Sequence, residues 1–370
     1  MKIMINRDDL IDALELPQSI TEKKTISSNP NTTQILINFE KEKTTFTGTN
    51  MDVYIKSEIK IPCEEEQTVS VNAKNFYELI KEFPEDMITL QIDNDQITLN
   101  NETSKYTFVT SDTENFPEIP NIENSKKIEI KSENMLKLLD TVSYAASNED
   151  IRPSLKGIFM ELEENSLIGV ATDSHRLSFI KMKFENINET NFPQQGLIIP
   201  KKATGEIKKI CLKGDSIYFE TSDTDIKISN ENTELIVRQV MGKYPQYRDI
   251  IPNNYPISFS IDRKEFVHST KRAAIFSQEH TRGIKMSVEE DKIFLTCRNE
   301  IGESLEELDI KLNGTPVSIG FNIDFLLETV SSFNSEKLQF ELKDEMSAAI
   351  IRPEGEEDIF AIIMPMTINW

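Results

Sequence analysis

A short strand of alternating apolar and polar residues runs straight into an amphipathic helix three times in this chain, at intervals of about 125 residues. The openings are Lys2-Ile3-Met4-Ile5-Asn6 before a helix from Arg7 to Leu16, Lys127-Ile128-Glu129-Ile130-Lys131 before Glu133 to Ala146, and Ile257-Ser258-Phe259-Ser260-Ile261 before Lys264 to Phe276. Strict alternation marks strands with one buried face. In the second helix Met135, Leu138, Leu139, Val142 and Ala146 make one buried stripe. Each copy continues with several strands and a second strand–helix unit, Thr68–Val71 with Lys74–Glu82, Gly196–Ile199 with Lys201–Leu212, and Val317–Gly320 with Asp324–Ser331. A further run of strands closes each copy. The interval is the size of one domain. The chain is therefore expected to be α+β, three copies of one fold, with domains at 1–122, 123–253 and 254–370.

Of the 370 residues, 38% are hydrophobic and 28% charged, enough to give every copy its own core. No run approaches the ~18 apolar residues of a membrane helix. The N-terminus lacks the apolar stretch of a signal peptide, so the expected location is the cytoplasm, with no membrane partner. Cys63, Cys211 and Cys297 are odd in number and far apart, which argues against a disulfide framework. With only His175, His268 and His280 besides, no metal-ligand spacing exists, and neither a metal nor a cofactor is expected.

The formal net charge of −22 opposes nucleic-acid binding unless the cations are segregated. They are unevenly spread. The stretch Lys201–Lys213 holds five lysines against Glu206, while Ala203, Ile207, Ile210 and Cys211 form its apolar stripe. Lys264, Lys271 and Arg272 enrich the first helix of the third copy, and Lys131 and Lys137 accompany that of the second. Acidic residues gather in turns and strand ends, at Glu64–Glu66, Glu300–Asp309 and Glu354–Asp358. The Asp324–Ser331 helix departs from this pattern, with Asp324 and Glu328 and no cation. Two readings stand: solvated lysine faces, or a surface that meets phosphates without regard to sequence.

The densest polar stretch is Ala171-Thr172-Asp173-Ser174-His175-Arg176-Leu177. It holds the ingredients of a hydrolytic triad, but neighbours on an extended chain point to opposite faces, and a triad converges from separate segments. A structural turn or a partner-binding rim suits it better than a hydrolase using Asp173 and His175. The apolar terminus Ile362-Ile363-Met364-Pro365-Met366 is either a last core strand or an adaptable peptide-binding surface.

Taken together, these motifs resemble the bacterial sliding clamps, the beta subunit of DNA polymerase III. The matching pieces run in family order: Thr47-Gly48-Thr49-Asn50-Met51-Asp52, Ala171–Leu177, Tyr244-Pro245-Gln246-Tyr247 with Pro252, Arg282-Gly283, Ile319-Gly320-Phe321-Asn322 and Met364-Pro365-Met366. The resemblance implies three DNA-clamp domains per chain and a head-to-tail homodimeric ring, with helices lining the inside and antiparallel sheets outside. It implies a processivity factor rather than an enzyme. Such a ring encircles double-stranded DNA and tethers the DNA polymerase III alpha subunit, the clamp loader and other proteins carrying a clamp-binding motif.

Carried over residue by residue, the resemblance implies a partner-peptide pocket from Leu155, Thr172, Ser174, His175, Arg176, Leu177, Pro245, Ile250, Met346, Ile362, Met364, Pro365 and Met366. Leu177 and Ile362 are expected to wall it opposite Met364 and Met366, with His175 and Arg176 on the rim. The ligand is a short peptide carrying Leu and an aromatic residue. Lys137, Lys201, Lys202, Lys208, Lys209, Lys271 and Arg272 are expected to face DNA. Tyr106 and Phe108 are expected to meet Ile275 and Phe276 of the other chain at the dimer interface. The sequence departs from the family at Ser174, where glycine is usual, at Asp249 and Thr367, where basic residues are common, in Thr25–Pro30, and in a terminus extended to Trp370. These departures keep open an alternative, a divergent second clamp serving a repair or mobile-element polymerase.

Overall fold

Each repeat lays down the same ten elements in the same order. The first comprises β1 (Lys2–Asn6), α1 (Arg7–Ser19), β2 (Gln34–Phe39), β3 (Thr44–Thr49), β4 (Val53–Ile59), β5 (Gln67–Asn72), α2 (Ala73–Lys81), β6 (Met87–Asp93), β7 (Gln96–Asn100) and β8 (Lys105–Val109). The second comprises β9 (Ile128–Lys131), α3 (Ser132–Val142), β10 (Gly157–Glu163), β11 (Ser166–Thr172), β12 (Arg176–Lys183), β13 (Leu197–Pro200), α4 (Thr204–Cys211), β14 (Ser216–Thr221), β15 (Asp225–Ser229) and β16 (Thr233–Arg238). The third comprises β17 (Ile257–Asp262), α5 (Arg263–Ala273), β18 (Gly283–Val288), β19 (Lys292–Asn299), β20 (Gly302–Asp309), β21 (Val317–Asn322), α6 (Ile323–Ser332), β22 (Lys337–Leu342), β23 (Ala349–Pro353) and β24 (Ile359–Ile363).

This computed structural model describes residues 1–22, 29–93, 95–122, 127–184, 192–251 and 254–368. Thr25–Ser28, Pro252 and Trp370, all noted in the sequence, lie outside the described residues. Helix bounds differ from the sequence reading at the ends. The Lys201–Leu212 stretch opens with a 3-10 turn, Lys201–Ala203, before α4, and α3 and α5 both finish in 3-10 turns. Helix α1 runs past Leu16 through Pro17 to Ser19. Gly48 on β3 makes that possible, since a Cβ there would stand 2.0 Å from the Pro17 carbonyl oxygen.

The chain divides into two units, Met1–Met135 with Ala203–Gln239, and Leu136–Lys202 with Val240–Trp370. The first unit holds a four-stranded sheet, β1-β6-β7-β8, and an eight-stranded one, β5-β2-β3-β4-β16-β15-β14-β9. The second holds the eight-stranded β13-β10-β11-β12-β24-β23-β22-β17 and the four-stranded β20-β19-β18-β21. Helices α1 and α2 pack their apolar residues, Leu10, Leu14, Phe76 and Ile80, with Ile35, Ile37, Ile88 and Leu90 of the strands into one core. Each such residue contributes roughly 1.5–3 kcal/mol on burial.

Asn and Asp side chains fix the start of equivalent strands. Asn50 accepts the N–H groups of Asp52 and Val53, Asp173 those of His175 and Arg176, and Asn299 those of Ile301 and Gly302. These Asx turns set β4, β12 and β20 in the same frame. Asn101 and Asn230 do the same for β8 and β16. The frame has a consequence at the seams between repeats. Within the first unit β4 pairs with β16, Val53 opposite Val237. Within the second unit β12 pairs with β24, Arg176 opposite Ile363. The equivalent strands left over, β8 and β20, are each the outer strand of a four-stranded sheet.

All three cysteines are buried and free. Burial pushes the Cys211 thiol up to about 12 and that of Cys297 up to about 11. Neither is expected to react with iodoacetamide in the folded chain at pH 8, because the thiolate is the nucleophile. Mass spectrometry that finds either one alkylated without denaturant would contradict this.

Candidate partner-binding site

The Ala171–Leu177 stretch folds as a locked turn between β11 and β12. Thr172 Oγ1 donates to the Arg176 carbonyl at 2.6 Å and accepts the Ser174 N–H at 3.1 Å. Asp173 Oδ1 accepts the backbone N–H groups of His175 and Arg176, and its Oδ2 accepts Arg176 Nε at 3.0 Å. Ser174 sits at φ +79°, the left-handed region that glycine enters without strain. Arg152 Nη2 donates to the Ser174 hydroxyl, and its own guanidinium is held by Asp150, whose carboxyl it lowers to about 2.

The His175 imidazole is exposed and stacks on Phe325, with centroids 5.8 Å apart. Asp173 is spent on the turn and on Arg176, so the two do not form an acid–base pair. Arg176 differs from the sequence reading. It is 8% exposed, below the surface rather than on a rim. Besides Asp173 it meets the Tyr144 carbonyl at 3.2 Å and places Nη1 2.6 Å from Glu328 Oε2. Its guanidinium lies 4.6 Å from the Phe325 ring centroid and 5.2 Å from that of Tyr144. Glu328 and Asp324 of the cation-free helix thus find partners elsewhere in the unit, Asp324 taking a two-point contact from Arg282 at 2.8 and 3.0 Å.

Leu177 and Ile362 face each other across the β12–β24 ladder. Both are buried, in a cluster with Phe159, Val170, Tyr244, Tyr247, Ile350 and Phe360. Tyr244 stacks on Phe159 at 4.8 Å, and Tyr247 donates its hydroxyl to Glu161. Leu155 and Thr172 are buried as well. These residues are buried packing rather than an open wall, and the cavity at Met364–Met366 is lined by other residues. Ile250, Met346 and Met364 are exposed apolar side chains, at 41%, 76% and 44%, and Pro245 is half-buried.

Met346, Met364, Pro365 and Met366 come together around a cavity of about 370 Å³ that Lys285, Ser318, Ile319, Gly320, Glu345, Thr367 and Ile368 complete. Met364 N–H donates to the His175 carbonyl at 2.8 Å and Met366 N–H to the Gly320 carbonyl at 2.9 Å. Pro365, which has no N–H to give, sits between them. Sequence reasoning did not place Phe325, Glu328, Gly320 or Ile368 in the site. Gly320 stands in the motif Ile319-Gly320-Phe321-Asn322, and comparison of the three repeats with one another would have pointed to its place beside the tail.

The expected DNA-facing cations are largely engaged. Lys201 Nζ donates to the Ala146 carbonyl at 2.7 Å, and burial holds its pKa below the usual lysine value. Lys209 pairs with Glu206 at 3.0 Å, Lys137 lies 4.0 Å from Glu356, and Arg272 grips Glu306 with two nitrogens. Lys202 and Lys271 are exposed and Lys208 half-exposed. Of the expected interface residues, Tyr106 and Ile275 are 39% and 69% exposed, while Phe108 packs on Phe76 and Phe276 lies over Gly302. Among the described residues no helix is long and apolar enough to cross a membrane, and no group of His, Cys, Asp and Glu could hold a metal ion.

Three tandem α+β domains, joined by sheets that run on from one repeat into the next, make this a DNA-clamp fold. The chain belongs to the DNA polymerase III beta subunit family, the bacterial sliding clamps. That family's N-terminal domain matches residues 1–120, its central domain 129–246 and its C-terminal domain 248–367. The chain is 27% identical to the beta sliding clamp of Staphylococcus aureus over 99% of both chains, and 24% identical to that of Haemophilus influenzae over 100% of both. The crystal structure of DNA polymerase III subunit beta from Pseudomonas aeruginosa superposes with a TM-score of 0.93 over 100% of both chains, at 24% identity.

Proposed function

We propose that the chain is a non-catalytic processivity factor, a homodimeric ring of domains 1–122, 123–253 and 254–370 in each copy. The ring encircles duplex DNA and tethers the replicative polymerase, the clamp loader and other partners through the cavity at Met346 and Met364–Met366. The comparisons do not favour a divergent second clamp. One observation carries the dimer: two seams inside the chain share one register, and a third set of equivalent strands has no such partner among the described residues. Extending that register pairs β20 with β8 of a second copy, Gly302 opposite Phe108, Ser304 opposite Tyr106 and Ile301 opposite Val109. An isolated chain leaves Ile301 80% and Val109 79% exposed. Two open edges carrying such residues would invite uncontrolled pairing unless they met each other.

The test is loading onto nicked circular DNA followed by linearisation: a ring slides off the linear form, whereas a scaffold shows no such dependence. Binding to DNA is expected to be weak, since so many helix cations are already paired. Lys202→Glu with Lys208→Glu is expected to lower loading at moderate salt and to reduce the salt slope by about one for each phosphate that is no longer neutralised. Dimer mass is expected to stay unchanged. Loading indifferent to both changes would remove these lysines from the DNA surface.

A further inference from the structure

The same backbone bond closes all three repeats, and the third repeat alone builds it around a missing side chain. Ser111 N–H donates to the Ser70 carbonyl in the first repeat, Val240 to Ile198 in the second, and Met366 to Gly320 in the third. Strand pairing confirms the equivalence, because Gln34 faces Asn72, Gly157 faces Pro200 and Gly283 faces Asn322. In the second repeat Ile198 covers the glycine on the neighbouring strand, its Cγ2 only 2.5 Å from where a Gly157 Cβ would be. In the third, that covering position is itself a glycine, Gly320. The space is filled from the tail instead. Ile368 Cδ1 stands 2.7 Å from a Cβ built on Gly283, and Ile368 Cγ1 2.4 Å from one built on Gly320. A side chain of the sheet has been exchanged for a side chain of the C-terminal segment.

From this exchange we propose that Ile368 is a positioning residue for the partner site: wedged into the Gly283–Gly320 notch, it holds Met364–Met366 extended along the cavity. This rests on the reading of that cavity as the partner-peptide site. Three ties fix the segment, at the His175 carbonyl, the Gly320 carbonyl and the notch. The third is made by a side chain, Ile368 standing closest in the notch with Met366 Sδ and Cε 3.8 Å from the Gly283 Cβ position. Without it, Met366 has one backbone bond to keep it on β21. A segment that keeps its binding form about a tenth of the time loses about tenfold in apparent affinity.

The experiment uses the full chain and a synthetic peptide carrying one Leu and one Phe, titrated calorimetrically. Ile368→Ala is expected to weaken the peptide about tenfold and to speed amide exchange at Met366, with thermal midpoint and dimer mass unchanged. Ile368→Val fills most of the notch and is expected to restore both. Gly320→Ala, whose Cβ would stand 2.4 Å from the Met366 carbonyl oxygen, is expected to act like Ile368→Ala by pushing the tail out. Unchanged or tighter binding by Ile368→Ala, with the unaltered chain binding normally, would overturn the proposal and leave the cavity reading intact. Failure of the unaltered chain to bind would overturn both.

Discussion

Placing aspartate at both Val109 and Ile301 is expected to turn the proposed dimer into a monomer with unchanged secondary structure. The two residues are nearly bare in the single chain, so their replacement costs the monomer little. In the proposed pairing they face each other, one step beyond the position of the Val53–Val237 pair and where, in the second seam, the His175 carbonyl receives Met364 N–H. Burying each apolar side chain contributes roughly 1.5–3 kcal/mol, and a closed two-chain ring has two such interfaces. Like charges directly opposite on paired strands add repulsion. Even about 4 kcal/mol of the total corresponds to roughly a thousandfold in dissociation constant. Sedimentation velocity at micromolar concentration reads the outcome. Pairing Val109→Asp with Ile301→Lys puts opposite charges face to face and is expected to recover part of the association. A double-aspartate variant that remains dimeric would refute the register.

How much of this was legible beforehand follows from which interactions are local. Alternation over Lys2–Asn6 and Ile257–Ile261 gave half-buried strands because side-chain direction in a strand is set by the adjacent residue. The stripe Met135, Leu138, Leu139, Val142 and Ala146 is buried throughout for the same kind of reason. Locality fails at Arg176. Beside His175 in a polar run it reads as a rim cation, yet Glu328 and Phe325 on a helix far along the sequence draw it under the surface. Lys201 reads as one of five solvated lysines, and the Ala146 carbonyl takes it inward. Leu177 and Ile362 are expected from the sequence to wall the partner pocket, but the ladder they share buries both in a core cluster. The tail had two readings, core strand or peptide surface. The structure buries β24 as a core strand, and the residues after it line the cavity.

Replacing Arg176 by Ala is therefore expected to act on stability first. The substitution strips Asp173 of its cation while that carboxylate stays 14% exposed, and it removes a guanidinium stacked between two rings. Breaking a buried pair by deleting one partner typically costs about 3–5 kcal/mol. Glu328 is 53% exposed, so its share is screened, which brings the expected loss to about 2–4 kcal/mol. Lysine is expected to recover less than half, because a point charge cannot serve Asp173, Glu328 and the Tyr144 carbonyl from one planar fork. Native-state hydrogen exchange of the β12 and β24 amides measures the change. A surface cation contacting the peptide predicts the reverse pattern, protection unchanged and peptide affinity reduced. Loss of protection below about 1 kcal/mol, together with weaker peptide binding in the still-folded variant, would return Arg176 to the rim.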